Sequence, residues 1–385
     1  MSTSSDQLST LTGPTAAELP AAADLAPRFP LTVNAAPAGE DAFSAVMDNL
    51  SFGVSFTDHM ARATWTPREG WHGHRVEAFG PLTLSPAAAV LHYGQEIFEG
   101  LKAYRHADGS VWTFRPGFNA ARFNASARRL AMPELPEEDF VASLAALVAA
   151  DARWVPSVPG SSLYLRPFAI ATEPFLGVRS AHQVEYLLIA SPVGPYFAHG
   201  FEPVAIWVAE DYHRVGPGGM GAAKTGGNYA ASLLPQQEAY EKGFEQVCFL
   251  DAATGTKLEE LGGMNVFVVG ADGAVRTPSL TGTILEGGTR GAILQLLRES
   301  GRKVSEETIN LTELLEQIRS GEVSEMFACG TAAVITPIGR LAGSGFDVTV
   351  ADGRPGAVTS GLYGELTDIQ YGLRPDTHDW MYRLA

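Results

Sequence analysis

A glycine-rich stretch in the second half of the chain places the strongest local constraint on its folding. Six glycines fall among the twelve residues Gly216–Gly227, and Lys224 is the one basic residue between Arg214 and Lys242. A long amine in such a stretch indicates a backbone that must come close to something bulky. Three uses of this amine compete: a solvated loop lysine, a lysine that grips nucleotide phosphates, or a lysine that holds an aldehyde cofactor as a Schiff base.

The length and charge of the chain limit the class of protein. Its 385 residues are enough for two or three domains of ~150 residues each. A hydrophobic content of 45% with 18% charged residues is typical of a globular protein with a large core. The formal net charge of −16 argues against a nucleic-acid partner and against an anionic membrane surface. Small acidic ligands remain possible, because one or two arginines can set the local field.

Cysteine usage and the N-terminal segment indicate the compartment. Cys248 and Cys329 are the two cysteines, and their separation allows neither a metal site nor a disulfide framework. The first residues lack both the basic region and the apolar core of a secretory signal. No apolar stretch approaches the ~18 residues of a membrane span. We therefore expect a soluble protein of the reducing cytoplasm, without a bound metal.

Composition along the chain predicts its organisation. Residues 1–30 are rich in Ser, Thr, Ala and Pro, and we expect a flexible tail that is tied down at most at its end. Proline and glycine concentrate in residues 193–203, which we interpret as an interdomain linker between domains at 31–192 and 204–385. The mixture of helical and strand patterns predicts α/β domains rather than one regular βαβ series.

Periodicity predicts the individual elements. Apolar residues at helical spacing predict helices, and short apolar runs between turn residues predict strands. Helices are expected within 119–133, 137–156, 228–243 and 289–301, strands at 163–171, 184–193, 204–210, 247–251 and 265–270, and tight turns at 107–109 and 271–273.

Two segments could bind phosphate. Gly287, Gly288 and Thr289 directly precede an amphipathic helix, which is either an anion site or an ordinary glycine-rich N-cap. A nucleotide P-loop needs a glycine immediately before its lysine and a helix immediately after. Here Ala223 precedes Lys224, and the GGN sequence follows it, so the P-loop interpretation is weak.

A Schiff-base lysine requires partners, and the sequence offers candidates for them. A pyridine-type cofactor needs an anion opposite its ring nitrogen. Glu259 and Glu260 lie at the edge of an apolar strand, although a solvated strand end explains them equally. Tyr229 follows Lys224 by five residues and is either a phenol beside the cofactor or a helix-packing tyrosine. The small-residue turn at 328–339 has amides that could hold a carboxylate or a phosphate.

Taken together, these segments closely resemble the branched-chain amino acid aminotransferases, which are fold type IV pyridoxal-phosphate enzymes. The resemblance runs from about residue 40 to the C-terminus. It implies two domains, a smaller N-terminal α/β domain and a larger C-terminal cofactor-binding domain of mixed β-structure surrounded by helices. The matching segments are YGQEIFEGLKAY (93–104), LYLRPF (163–168), PVGPYF (192–197), AAKTGGNYAASL (222–233), EELGGMNVF (259–267), TILEGGTRGAIL (283–294) and CGTAAVITPI (329–338).

The resemblance also implies residues that bind pyridoxal 5′-phosphate. Lys224 would hold the cofactor covalently and later move the proton between the substrate α-carbon and the cofactor's C4′. Glu260, rather than Glu259, matches the partner of the pyridine nitrogen. Tyr229 matches the phenol beside O3′, and Arg122 matches the phosphate-binding arginine.

Further matched positions concern the phosphate and the substrate. The amides of Gly288 and Thr289, together with Thr331, would complete the phosphate site. Thr331 and Ala332 match the turn that receives the substrate α-carboxylate. The aromatic walls of the side-chain pocket match Tyr93, Phe98, Tyr164 and Tyr196, with Arg166 as a supporting arginine.

The activity implied is the reversible transamination of Leu, Ile and Val with 2-oxoglutarate, which gives branched 2-keto acids and L-glutamate. A homodimer or higher homo-oligomer is expected. The alternatives are a D-amino acid aminotransferase or an aminodeoxychorismate lyase of the same fold, and a nucleotide-binding protein of another class. Two departures stand out: Ala333 and Thr336 replace the CxxC pair of animal members, and Gly263 replaces a threonine of some members.

Overall fold

The computed structural model describes residues 11–194 and 200–385. Contacts divide the chain into two bodies. Of the described residues, the first body comprises 12–194, 223–226 and 368–385, and the second comprises 11, 200–222 and 227–367. Lys224 therefore belongs to the first body. The expected linker at 193–203 includes residues 195–199, which lie outside the described residues.

Strands and helices follow one another along the chain with short connections. The strands are β1 (His59–Thr66), β2 (Gly70–Ala78), β3 (Glu96–Phe98), β4 (Leu101–Arg105), β5 (Val111–Phe114), β6 (Ser162–Ala171), β7 (Val184–Val193), β8 (Val204–Ala209), β9 (Gln246–Leu250), β10 (Leu258–Leu261), β11 (Asn265–Gly270), β12 (Val275–Pro278), β13 (Val304–Glu307), β14 (Val323–Gly330), β15 (Val334–Gly343), β16 (Phe346–Thr349) and β17 (Met381–Arg383). The helices are α1 (Ala22–Leu25), α2 (Glu40–Asp48), α3 (Ala89–Tyr93), α4 (Pro116–Arg129), α5 (Glu137–Ala150), α6 (Gly226–Glu241), α7 (Gly288–Glu299), α8 (Leu311–Ser320) and α9 (Ala357–Gln370).

The first body is built on an antiparallel sheet. Among the described residues its order is β17-β5-β4-β6-β7-β1-β2, with β3 paired to β6. Along β6, Leu163 and Leu165 are buried in the core that α4 and α5 also line. Because successive side chains of a strand point to opposite faces, Tyr164 and Arg166 lie on the other face of the sheet. This second face therefore carries two of the residues predicted for the substrate pocket.

The N-terminal segment is anchored more extensively than the sequence indicated. Leu19, Leu25 and Phe29 are buried in the core of the first body, and the Tyr382 hydroxyl donates to the carbonyl of Pro20 at 2.6 Å. Burial of these three large apolar side chains stabilises the ordered conformation of the segment. The expected flexible tail therefore does not extend over residues 19–29.

The second body contains a mixed sheet. Within the described residues its order is β10-β9-β8-β15-β14-β11-β12-β13, with β16 paired to β15. The pairs β8–β9, β8–β15 and β12–β13 are parallel, and the other pairs are antiparallel. Helices α7 and α8 both pack against β14. Each body thus combines a sheet with helices, as the residue patterns predicted.

Most predicted elements are present, but helices α2, α8 and α9 were not predicted. The helices within 119–133, 137–156, 228–243 and 289–301 and the turns at 107–109 and 271–273 are confirmed. Helix α8 was not predicted, although its ends carry strong local signals. The Asn310 side chain accepts from the amides of Thr312 and Glu313, and Gly321 ends the helix with a φ of 82°.

Candidate active site

Lys224 is held by its backbone on the first body. Its amide donates to the Ser126 hydroxyl of α4 at 2.9 Å, and its carbonyl accepts from the Phe98 amide at 3.0 Å. The side chain is half-buried, and its Nζ lies 4.8 Å from the centroid of the Phe98 ring. An ammonium at this distance from an aromatic face is attracted by the ring quadrupole. Two hydrogen bonds therefore fix the backbone of the predicted nucleophile, and an aromatic ring lies beside its amine.

A buried ion pair joins Arg122 to Glu99. Arg122 Nε lies 2.7 Å from Glu99 Oε1, and Arg122 Nη2 lies 2.8 Å from Glu99 Oε2. Burial opposes ionisation of the fully buried Glu99. The Arg122 charge and hydrogen bonds, the Lys224 charge and the Asn119 amide outweigh it, so the pKa of Glu99 is below its usual value. The bidentate pair fixes the plane of the predicted phosphate-binding guanidinium.

Three of the predicted substrate residues lie together near Lys224. Arg166 Nη2 donates to the Tyr164 hydroxyl at 2.8 Å, and the guanidinium carbon lies 4.8 Å from the Phe98 ring centroid. Arg166 Nε is buried and has no hydrogen-bond partner among the described residues. A side chain at Gly100 would overlap with the Tyr164 hydroxyl, so glycine is required there. Phe98 and Tyr164 thus form an aromatic surface that contains the guanidinium of Arg166.

Tyr93, another predicted aromatic residue of the pocket, is not part of that group. Tyr93 is 40% exposed, its hydroxyl donates to the Leu176 carbonyl, and its ring lies 6.4 Å from that of Phe175. Tyr196 lies outside the described residues. The assignment of Tyr93 and Tyr196 to the substrate pocket therefore stays a prediction.

In the second body, the two adjacent carboxylates of β10 have different partners. Glu260 is 2% exposed; its Oε1 lies 2.8 Å from Arg214 Nη1 and accepts from the Leu285 amide at 3.0 Å. Glu259 accepts instead from the Thr283 hydroxyl at 2.5 Å, and burial raises its pKa. The Arg214 Nε and Nη2 atoms are buried without hydrogen-bond partners among the described residues. Glu260 is thus the carboxylate that is paired directly with a buried cation.

The loop that follows β10 lies close to the predicted cofactor residue Tyr229. A Cβ at Gly263 would lie 3.5 Å from Tyr229 Cε1, which is an ordinary contact, so this position has room for a Cβ.

Thr331 and Ala332 lie in the turn between β14 and β15. The turn ends at Val334 with a φ of 61°, a strained value for a β-branched residue. Backbone strain of this kind is concentrated at functional sites.

The N-terminus of α7 is suited to binding an anion. Gly287 is the N-cap and supplies no side chain to accept from the amides of the first turn, which includes Gly288 and Thr289. A side chain at Gly287 would overlap with Asn265 Oδ1, and Asn265 is itself fixed by donating to the Leu285 carbonyl at 3.0 Å. Helix N-termini of this type bind phosphates through amide donors and the helix dipole.

Sequence reasoning missed the partners that fix the predicted residues. Glu99 lies inside the FEGLKAY motif but received no role, and Ser126 and Arg214 received none either. No local spacing could identify them, because each contacts its partner only through the tertiary fold. The one available signal for Glu99 was that it is the single acidic residue of that motif.

Comparisons with known proteins are consistent with this arrangement. The family model for amino-transferase class IV matches residues 96–341. A branched-chain-amino-acid aminotransferase of Mycolicibacterium smegmatis is 52% identical, covering 92% of this chain and 98% of its own length. Among solved structures, the Escherichia coli branched-chain amino acid aminotransferase has a TM-score of 0.71 at 27% identity, covering 84% of this chain and 100% of its own. The branched-chain aminotransferase of Thermoproteus uzoniensis, solved with norvaline, has a TM-score of 0.70 at 25% identity, with 84% and 100% covered.

The chain belongs to the class IV aminotransferases. Within this family its relatives are branched-chain aminotransferases, so the resemblance, the two-domain α/β fold type IV architecture and the enzyme class predicted from the sequence are confirmed. Enzymes of this family depend on pyridoxal 5′-phosphate, which confirms the expected cofactor. Membership of this family excludes the alternative of a nucleotide-binding protein.

The residues present fit pyridoxal 5′-phosphate. Taken by itself, the first body contains the Lys224 amine and the Arg122 guanidinium, and the second, taken by itself, contains the Glu260 carboxylate and the amides at the start of α7. An amine for the aldehyde, an anion for the pyridine nitrogen and a cation with amides for the phosphate are the donor set that this molecule needs. Among the described residues, no helix is long and apolar enough to span a bilayer.

We predict that the two thiols are unreactive in the folded protein. Cys248 and Cys329 are free and buried, and burial raises the pKa of each to about 12. Because the thiolate is the reactive form, thiol reagents and peroxide should act slowly. Native protein should show almost no labelling by a disulfide reagent within minutes, while denatured protein should show two thiols. Rapid labelling, or activity lost to peroxide and restored by a reductant, would contradict this prediction.

Proposed function

We propose that the protein transfers the amino groups of Leu, Ile and Val to 2-oxoglutarate, giving branched 2-keto acids and L-glutamate. The names of its relatives, at 52% identity over most of both chains, support this substrate class. The observation that carries the proposal is the Lys224 amine beside an aromatic surface that contains one arginine. We place the reaction in the cytoplasm, in agreement with two free thiols and no disulfide among the described residues.

The chain's own groups have distinct tasks in this reaction. When bound, pyridoxal phosphate supplies an electron sink for the charge left on the substrate α-carbon. The Lys224 amine removes the α-proton and returns it at C4′ as a general acid–base. Glu260, fixed by Arg214, holds a proton at the pyridine nitrogen. Arg122 and the amides at the start of α7 would hold the phosphate, and Tyr229 would supply a phenol for O3′.

The pocket must accept both an apolar and an acidic side chain. We propose that Phe98 and Tyr164 contact the branched aliphatic group of Leu, Ile or Val. Arg166 receives the distal carboxylate of glutamate and 2-oxoglutarate. The Arg166 guanidinium lies beside both proposed walls, since its Nη2 donates to the Tyr164 hydroxyl and its carbon is 4.8 Å from the Phe98 ring centroid. The turn of Thr331 and Ala332 receives the α-carboxylate that both substrates share.

Replacing Arg166 with methionine should lower kcat/KM for glutamate much more than kcat/KM for leucine. A charge-assisted hydrogen bond contributes roughly 1.5–3 kcal/mol, so kcat/KM for glutamate should fall by about tenfold to a hundredfold. For leucine it should change by less than about threefold, since no carboxylate lies in that part of its side chain. Arg340→Gln, an exposed arginine of the second body, is the control. An equal loss with both substrates would show that Arg166 does not discriminate between them.

The proposed activity is tested with a panel of amino donors and 2-oxoglutarate as acceptor. The purified protein should be yellow, and borohydride should fix the cofactor to Lys224. L-Leu, L-Ile and L-Val should give the highest kcat/KM. Preference for D-amino acids would instead support the D-amino acid aminotransferase, and release of pyruvate from aminodeoxychorismate would support the lyase.

We also propose that the protein is a homodimer. Four large apolar residues of the first body are exposed near one another: Leu91 (59%), Tyr93 (40%), Leu176 (65%) and Val178 (89%). The Tyr93–Leu176 hydrogen bond places α3 beside the loop that contains Leu176 and Val178. A clustered apolar surface of this kind is typical of a subunit interface, and a second copy can cover it symmetrically.

Light scattering tests the dimer directly. The unsubstituted protein should have twice the monomer mass of 40.9 kDa, and Leu176→Glu/Val178→Glu should reduce it to the monomer value. Leu373→Glu, at another exposed leucine, should leave the mass unchanged. A monomeric unsubstituted protein, or a dimeric double variant, would reject this interface.

A further inference from the structure

Strand β3 holds the segment that carries Lys224 at two points. The Phe98 amide donates to the Lys224 carbonyl at 3.0 Å. Two residues earlier on the same strand, the Glu96 carboxylate accepts from the Gly226 amide and from the Thr225 hydroxyl, the latter at 3.2 Å. The backbone of Lys224 and the two residues that follow it are therefore tied to one short strand.

Gly226 is shaped to receive the Glu96 carboxylate. A Cβ at Gly226 would overlap with Glu96 Oε1 and lie 3.2 Å from Glu96 Cδ. Because the overlapping atom ends a flexible side chain, an alanine at 226 would displace Glu96 rather than unfold the segment. The glycine at 226 thus has a specific purpose, which is the close approach of this carboxylate.

Burial and the neighbouring donors act in opposite directions on the Glu96 carboxylate. Burial raises the pKa of Glu96, while the Gly226 amide, the Thr225 hydroxyl and the Arg166 charge stabilise its ionised form. Gly226 is the first residue of α6, so its amide is one of the helix donors without an intrahelical acceptor. A carboxylate there also interacts favourably with the helix dipole.

We propose that Glu96 is a positioning residue for the proposed transamination: it fixes the Lys224 segment so that the amine returns to the same place in each proton transfer. Glu96 touches Thr225 and Gly226 rather than the amine itself, so it acts through the backbone of Lys224. Its loss should affect the proton-transfer step more than substrate binding, because small displacements of a general base are costly in rate.

The first experiment compares Glu96→Ala, Glu96→Gln and the control Glu185→Ala. Glu185 is also half-buried and accepts from a threonine hydroxyl and an arginine, but these are Thr64 and Arg62. With leucine and 2-oxoglutarate, Glu96→Ala should lower kcat by about tenfold to a hundredfold and change KM by less than about twofold. Glu96→Gln should recover most of kcat, because its amide oxygen still accepts from the Gly226 amide. The control should retain kcat.

The second experiment uses the cofactor-free protein and does not depend on activity. Hydrogen exchange of the amides at 225–228 should be faster in Glu96→Ala than in the unsubstituted protein and in Glu185→Ala. Added pyridoxal phosphate should restore the yellow colour more slowly in Glu96→Ala. If the unsubstituted protein shows no turnover, the proposed function is wrong. The exchange and colour measurements do not depend on turnover, so they test the positioning role of Glu96 separately.

A double-mutant cycle separates positioning from a general loss of stability. Gly226→Ala alone should reproduce the fall in kcat, and in the Glu96→Ala background it should add less than about twofold, since the displaced carboxylate is already absent. Additive losses would overturn the proposal. So would unchanged exchange at 225–228, or a fall in kcat no larger than that of Glu185→Ala.

Discussion

Replacing Lys224 with alanine is expected to lower the rate of transamination by about 10³-fold or more while preserving the fold. In the proposed reaction this amine is both the covalent attachment point and the general base, so its removal should affect every turnover. The stability change should be small, because the side chain is half-buried and the hydrogen bonds to Ser126 and Phe98 use the backbone. Steady-state rates with leucine and the melting temperature measure the two effects.

The control for this experiment is another lysine. Lys242 at the end of α6 is exposed and contacts Glu238, so Lys242→Ala should keep full activity. Small primary amines added to Lys224→Ala should restore part of the rate by supplying a base. If Lys224→Ala keeps more than a tenth of the activity, another group moves the proton and the assignment of Lys224 is wrong.

Replacing Glu99 with alanine is expected to cause the largest loss of stability among the site variants. The substitution leaves the buried Arg122 without its bidentate carboxylate, and breaking a buried pair in this way costs about 3–5 kcal/mol. Glu77→Ala, which breaks more exposed pairs with Arg62 and Arg75, should cost about 1 kcal/mol or less. Urea unfolding of the cofactor-free proteins measures both values.

Two further measurements identify the cause of this loss. Saturating pyridoxal phosphate should recover part of the stability of Glu99→Ala, because the phosphate supplies a new anion to Arg122. The pKa of Glu99 is lower in the folded protein than its ordinary value of 4.5. Its charge therefore stabilises the fold fully above that value, and this contribution is lost as the pH falls toward the lowered pKa. The difference in free energy of unfolding between Glu99→Gln and the unsubstituted protein should therefore become smaller as the pH falls over this range. Equal losses for Glu99→Ala and Glu77→Ala would contradict the account.

The elements that the sequence predicted well are those with local signals. Helix α5 has apolar residues at helical spacing and acidic residues in its first turn, and the turn at 107–109 has the composition of a hairpin. The short strand β3 was not predicted, because three residues show no periodicity. Strand β17 pairs with β5 at the other end of the chain, and no local pattern could indicate that pairing.

By itself, the sequence determined the enzyme family and the cofactor and predicted the role of Lys224, since motif order and residue type carry this information. Only the tertiary structure decided that Glu99 neutralises Arg122, that Arg214 pairs with Glu260 rather than Glu259, and that Glu96 caps the segment after Lys224. Electrostatic and hydrogen-bond energies depend on distance and burial in space, and residues far apart in the chain acquire both only when the sheets form. The glycines around Lys224 illustrate the difference: their number indicated a close approach, and the fold showed that Gly226 approaches the carboxylate of Glu96.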